Sequence, residues 1–232
     1  MRPTGSNREQ FLARVQQASE TGRQYRVPTQ DVADAIGHVG AGADLCQALS
    51  QEINEVGGRA IVVDDWTQAP TILAQMLRSF EPRAAVRWRH ELLDRVGLDA
   101  ILKQMGVGVH DFDSLIQLAP DEQRAVILDA DIGITSTTLA IAETGSLLLS
   151  ARPGQERVVS LLPPIHLALV AESQIVPDLF DAMQRIRESK LPSAVNLVTG
   201  PSKTGDIELQ LTTGVHGPGT WQVLIVRESI GR

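Results

Sequence analysis

The chain has 232 residues, 43% of them hydrophobic, with 21 basic residues against 28 acidic ones and a formal net charge of −7. That length and apolar share suit one globular domain of the larger single-core type and exclude disorder as the main state. The acidic balance disfavours a sequence-independent grip on nucleic acid or on an anionic membrane surface, so an anionic ligand has to be held locally. Cys46 is the single cysteine, which rules out an intramolecular disulfide, a cysteine-based zinc site and an iron–sulfur cluster held by this chain alone. A reducing cytoplasm is the simplest setting. The opening MRPTGSNREQ lacks the apolar core of a signal peptide, and the longest apolar stretch, over 161–171, contains two prolines and His166 and is too short to span a bilayer. No membrane insertion is expected.

In chain order, Phe11, Leu12, Val15 and Ala18 recur at helical spacing after Asn7, which predicts an amphipathic helix near 7–20, followed by a linker over 21–40 rich in Gly, Pro, Thr and Gln. Residues 1–40 therefore read as an arm and linker, and 41–232 as the main domain. There a helix over 43–56 stops at Gly57-Gly58 and gives way to the β-branched run Ala60-Ile61-Val62-Val63. The pattern predicts helices near 70–80, 91–104 and 120–128, with a strand at 84–88 between the first two. Strands follow at 133–135 and 146–150, separated by a helix that begins near Thr137. A strand at 165–171, a helix at 176–188, a strand at 194–198, a helix at 203–211 and a strand at 221–226 complete the alternation. Such alternation favours an α/β fold with an open, mostly parallel sheet and helices on both faces.

The standard chemical motifs are absent or broken. Gly200 and Gly205 stand at Walker A spacing, but Asp206 occupies the lysine position and would repel a phosphate. Gly40-Ala-Gly42 starts like a dinucleotide fingerprint, yet Leu45 replaces its third glycine. No G-x-S-x-G elbow occurs, and the five histidines lie far apart, so no metal site is expected.

Three stretches together carry a resemblance: GITSTTLAIAETGSLLLSARPGQERVVSLLPPIHLALV from Gly133, VTGPSKTGDIE from Val198 and GVHGPGTWQVLIV from Gly214. They resemble the LUD domain of lactate-utilisation proteins, in the short C type of that family. The resemblance implies a fold like that of the ribose-phosphate isomerase and CoA-transferase group (NagB/RpiA/CoA transferase-like). It also implies a part in oxidising L-lactate to pyruvate beside iron–sulfur partner proteins, which would carry the clusters that this chain cannot hold.

Candidate site residues fall in three loops. In TGPSKTGDIE, Gly200-Pro201 gives a rigid turn, Lys203 a positive charge, and Ser202 or Thr204 a helix cap ahead of Gly205; the plain alternative to an anion grip is capping, which explains Asp206 and Glu208 but not Lys203. The expected guest is a small carboxylate or phosphate. In AETGS, Glu143-Thr144-Gly145 reads as a helix end with Gly145 left-handed. A glutamate followed two positions on by glycine is also similar to the covalent nucleophile of CoA-transferases of that fold, so Glu143 is either a ligand-binding group or a nucleophile. In GVHGPG, His216 is either aimed at the site or solvated. His166, inside an apolar strand, reads as a satisfied core or edge histidine. Arg152 and Arg157 bound a hairpin-like turn, either solvated or facing a pocket as a carboxylate clamp. Two other function classes stay open: a stand-alone acyl- or CoA-transferring enzyme, and a non-catalytic scaffold for the iron–sulfur proteins.

Overall fold

The computed structural model describes residues 5–23, 42–189, 192–205, 211–213 and 217–228. Met1–Val39 forms a unit of its own, separate from Gly40–Arg232. Within the first unit, helix α1 (Gly5–Arg23) runs three residues beyond the expected 7–20 and leaves Phe11, Leu12 and Val15 exposed. The remainder of the expected linker lies outside the described residues.

The second unit begins with α2 (Leu45–Glu55), whose N-cap Asp44 accepts the Gln47 N–H at 3.0 Å and whose Cys46, Leu49 and Ile53 share one buried face. Gly57, at φ 95°, ends it and admits β1 (Arg59–Val63). Helix α3 (Ala69–Arg78) carries Pro70 in its first turn and leads to β2 (Ala84–Arg87). The single helix expected over 91–104 is two, α4 (Glu91–Arg95) and α5 (Leu98–Gln104), because Gly97 between them adopts φ 71°. Then come β3 (Gly108–His110), α6 (Phe112–Leu115), α7 (Pro120–Asp129) and β4 (Ile132–Thr135). The helix expected from Thr137 is instead strand β5 (Leu139–Ile141) with one 3-10 turn, Ala142–Thr144, before β6 (Ser146–Ala151). Consecutive Thr137 and Thr138, β-branched and stiff, favour the extended chain over the helix.

Short helix α8 (Val158–Leu161), β7 (Ile165–Ala171) and β8 (Ile175–Val176) precede α9 (Leu179–Glu188). Pro177 delays the start of α9, and Asp178 caps it by accepting the Asp181 N–H at 2.8 Å. Strand β9 (Ala194–Val198) follows. Of the helix expected over 203–211, residues 206–210 lie outside the described residues and the rest is strand: β10 (Lys203–Gly205) pairs antiparallel with β11 (Leu211–Thr213), Thr204 opposite Thr212. Threonine-rich segments with a glycine pair more readily as strands than they propagate a helix. Strand β12 (Thr220–Val226) closes the unit.

Six strands form one parallel sheet in the order β1-β12-β7-β4-β2-β3. Strands β8, β5, β6 and β9 make a separate, mixed sheet, so 146–150 and 194–198 stand apart from the main sheet. Right-handed crossovers dictate the layers: the steps β1 to β2 to β3 run one way along the sheet and place α3, α4 and α5 on one face. The steps β3 to β4 to β7 to β12 run back and place α8, the second sheet and α9 on the other. In the second sheet Leu147 and Leu149 join the main core, while Leu139, Ile141 and Leu148 pack with Ala182 of α9 in a smaller cluster. One layer of strands is thus shared between two apolar interiors, as the period-two alternation of a strand requires.

Candidate functional site

The antiparallel register of β6 and β9 sets Leu147 opposite Val198, which carries Ser146 to Thr199 just beyond. Their hydroxyl oxygens lie 2.7 Å apart, and the Thr144 hydroxyl donates to Ser146 Oγ at 2.7 Å. A three-hydroxyl chain therefore ties the Glu143–Gly145 turn to the Thr199–Lys203 loop. Both rest on the carboxyl end of α2. Gly145, at φ 64°, lies so close to that helix that a Cβ would stand 2.7 Å from Ile53 N, and a Cβ on Gly200, at φ 89°, would stand 2.9 Å from Val56 O. The left-handed reading of Gly145 holds, and both glycines are needed for close approach as well as for φ.

Lys203 is exposed, and its ammonium donates to Val56 O at 2.8 Å. It serves the unsatisfied carbonyls at the end of α2, where the helix dipole is negative. Thr204 and Gly205 continue as strand β10, and His216, Asp206 and Glu208 lie outside the described residues. Glu143 is exposed on its 3-10 turn, and its N–H donates to Pro177 O at 3.0 Å.

Beneath the Gly200–Ser202 turn is a cavity of about 220 Å³, lined among others by Gly200, Ser202, Gly217, Pro218, His166 and Trp221. The Ser202 N–H donates to Pro218 O at 2.8 Å, which joins the loop to the entry of β12. His166 and Trp221 are in register on adjacent strands and only 1% and 2% exposed. The Thr135 hydroxyl stands 2.9 Å from His166 Nε2, but His166 Nδ1 and Trp221 Nε1 are buried with no hydrogen-bond partner. Burial alone pushes His166 down to about 4, so its ring is neutral at pH 7. The satisfied core histidine expected from the sequence is satisfied at one nitrogen only.

Two buried ring nitrogens beside a cavity are an uncompensated cost unless something pairs with them. Indole Nε1–H is a donor only, and a Thr135 hydroxyl donated to Nε2 leaves the imidazole proton on Nδ1. In that tautomer both unpartnered groups are neutral N–H donors, and they sit on residues that line the cavity together with Ser202. Of the residues expected in the site, Gly200 and Ser202 line the cavity, Thr144, Gly145 and Lys203 brace the loop through the hydroxyl chain and α2, and Glu143 is exposed outside the lining. Trp221, Thr199 and Ser146 were not singled out in the sequence; the signal for Trp221 was an aromatic with a polar atom directly after the small residues Gly217–Thr220. Elsewhere, Cys46 is fully buried, and burial, aided by the Glu172 carboxylate, pushes its thiol up to about 12. Among the described residues no cluster of three or more His, Cys, Asp or Glu side chains could hold a metal ion, and no helix is long and apolar enough to cross a membrane.

A parallel sheet flanked by helices, with a second mixed sheet beside it, defines a two-sheet α/β domain. The chain belongs to the LUD domain family, whose model matches residues 46–226. It is 30% identical over 220 residues to lactate utilization protein C of Anoxybacillus flavithermus, covering 90% of this chain and 94% of that one. It is likewise 30% identical over 181 residues to the protein of that name from Halalkalibacterium halodurans, covering 75% of each. The crystal structure of a DUF162 family protein from Deinococcus radiodurans shares the fold, with a TM-score of 0.56 at 23% identity over 78% of this chain and 96% of that one.

Proposed function

We propose that this chain is a component of a lactate-oxidising system in the cytoplasm, that iron–sulfur clusters are carried by its partner proteins, and that it binds a small carboxylate or phosphate in the cavity beneath Gly200 and Ser202. The observation that carries the reading is the pair of buried, unpartnered nitrogens, His166 Nδ1 and Trp221 Nε1, on residues that line that cavity. A carboxylate of lactate size accepts from both N–H groups and from Ser202, and in a site of low dielectric such neutral donors hold a charge more firmly than in water. The names of the relatives supply lactate as the first ligand to try. Electron transfer falls to the partners, because the single cysteine here is a buried, protonated thiol.

The test is thermal unfolding of the purified chain with lactate, pyruvate and phosphate in turn. At least one raises Tm, and Trp221→Phe, which keeps most of the ring and removes the N–H, abolishes that rise. Absence of any response to all three ligands, or a full response in Trp221→Phe, overturns the cavity assignment. Reconstitution of lactate oxidation from cluster-bearing partners, with and without this chain, tests the wider role; equal rates refute it.

A further inference from the structure

The opposite end of the sheet carries a second, larger cavity. Connections leave β2 toward β3 and leave β4 toward β7, in opposite directions, so the crevice between the carboxyl ends of β2 and β4 is the switch point of the topology, where open α/β sheets bind ligands. The loop from Arg152 to Arg157 is built over it. The Trp88 indole N–H donates to Glu156 O at 2.9 Å, and the Arg89 N–H donates to Gly154 O at 2.8 Å, both from residues that directly follow β2. Within the loop the Gln155 N–H donates to Arg152 O at 2.8 Å, and the Gly154 N–H donates to Glu156 Oε1 at 2.8 Å. The loop is therefore anchored at both ends before any ligand arrives.

Beside it opens a cavity of about 830 Å³ with Phe112, Pro153, Val158 and Pro192 among its apolar walls and Arg152 and Arg157 at its lining. The charges around it are unequal in their partners. Arg89 is paired with Asp113 at 2.7 Å, and buried Arg87 reaches Asp99 at 2.7 Å and Asp94 at 3.4 Å. Arg152 and Arg157 are exposed, and neither has an acid partner among the described residues. A small adjoining hollow of about 120 Å³ shares Arg152 and Pro192 and adds Arg185. In a chain of net charge −7 the lining of the larger cavity holds two guanidinium groups against one carboxylate, Glu156, which accepts from the Gly154 N–H, and it includes a half-buried aromatic ring, so the local sign is positive.

We infer that this crevice binds a phosphorylated ligand with a flat apolar body, of the size of a nucleoside diphosphate. Arginine forks match phosphate oxygens in bidentate geometry, Phe112 and the prolines cover the flat body, and the volume lies within the range of cofactor and small-molecule clefts. Lactate or inorganic phosphate alone fills a small part of it. The inference does not rest on the small-anion cavity, which lies at the other end of the sheet.

Isothermal titration of the full chain with ADP and with inorganic pyrophosphate tests it. ADP binds in the micromolar range, and Arg152→Ala and Arg157→Ala each weaken it tenfold or more, with thermal unfolding in the absence of ligand unchanged. Phe112→Ala weakens ADP at least fivefold and leaves pyrophosphate within twofold, which separates the apolar wall from the charge. Failure of ADP to bind at millimolar concentration overturns the inference. So does ADP affinity unchanged in the Arg152→Ala, Arg157→Ala double variant, or competition of ADP by lactate in wild type but not in Trp221→Phe, which would place both ligands in the small cavity.

Discussion

At the amino ends of β7 and β12 the unpartnered polar atoms of two cavity-lining residues are buried and neutral; at the crevice beyond the carboxyl ends of β2 and β4 the arginines are exposed and charged. His166 and Trp221 have surrendered hydration to the fold, which the proposed guest would restore, whereas the exposed Arg152 and Arg157 keep theirs. An arrangement of the first kind would select a guest by shape and hydrogen-bond match in a small volume. The second attracts from a distance, tolerates larger ligands and is open to screening. Helix α8 joins the two regions, since Val158 lines the crevice and Ser160 lines the cavity.

That junction is the place to break the comparison with the largest effect. A Cβ on Gly133 of β4 would lie 1.8 Å from Val159 O, so α8 rests directly on the strand backbone. Gly133→Ala has to displace α8 and is expected to cost about 3 kcal/mol or more. Urea denaturation measures it, and ligand responses at both ends should fall together. A loss below about 1 kcal/mol would show that α8 moves freely and that the two regions are independent.

The next effect belongs to the cavity alone. His166 sits near 4 in the folded chain against an ordinary 6.5, so between these values the unfolded chain binds the proton and the folded chain does not. Stability is complete above pH 6.5, declines as pH falls toward 4, and levels off below; a shift of that size corresponds to a loss on the order of 3 kcal/mol. His166→Gln should flatten the profile of ΔG against pH in that window. An unchanged slope in the variant would assign the acid sensitivity to other groups. No charged neighbour contributes to the His166 shift, so added salt should leave this window in place.

Salt sharpens the contrast further. Raising NaCl from 0.05 to 0.5 M should weaken ADP at the exposed arginines severalfold, because the screening length contracts from well over 10 Å to a few ångströms. Ligand affinity at the enclosed cavity should stay within twofold. Equal salt dependence at both ends would mean that the cavity guest is met by charge and not by buried donors.

Much of this molecule was legible in the chain. Strand β7 and strand β9 carry the expected bounds, the helix cores of α2, α3 and α7 lie where apolar spacing put them, and Gly145 is left-handed as a turn end demands. What escaped notice depends on long-range pairing. Ser146 and Thr199 are neighbours because β6 and β9 run antiparallel in a given register, and nothing local in either segment announces that. Membership in the main or the second sheet is likewise invisible, since a short apolar strand reads the same in either. At Lys203–Gly205 and Leu211–Thr213, Thr204, Thr212 and Thr213 favour strands, and there pairing prevailed over the weak helical signal of the sequence. The half-satisfied state of His166 could not be read at all, because its partner Thr135 lies 31 positions away.

The smallest expected effect concerns Lys203, and it inverts the role that charge in a glycine-rich loop suggests. Helix α2 has no basic residue in its last turn, and Glu55 adds a negative charge there, so its terminal carbonyls lack a local cation. Lys203 supplies one from a distant strand, with Nζ 2.8 Å from Val56 O and Gly57 leaving room beneath it, where a Cβ would approach Nζ to 3.2 Å. Lys203→Met keeps the apolar stem and removes the ammonium. Stability should fall by about 0.5–1 kcal/mol, the worth of one exposed charge-assisted bond at a helix end, and part of the loss should disappear in high salt. The Tm response to phosphate or lactate should be unchanged, because the proposed cavity donors are His166, Trp221 and Ser202. Parallel urea curves and ligand titrations on the one variant separate the two roles. If stability holds and the anion response is lost, the ammonium leaves Val56 to meet the ligand, and the loop is an anion grip after all.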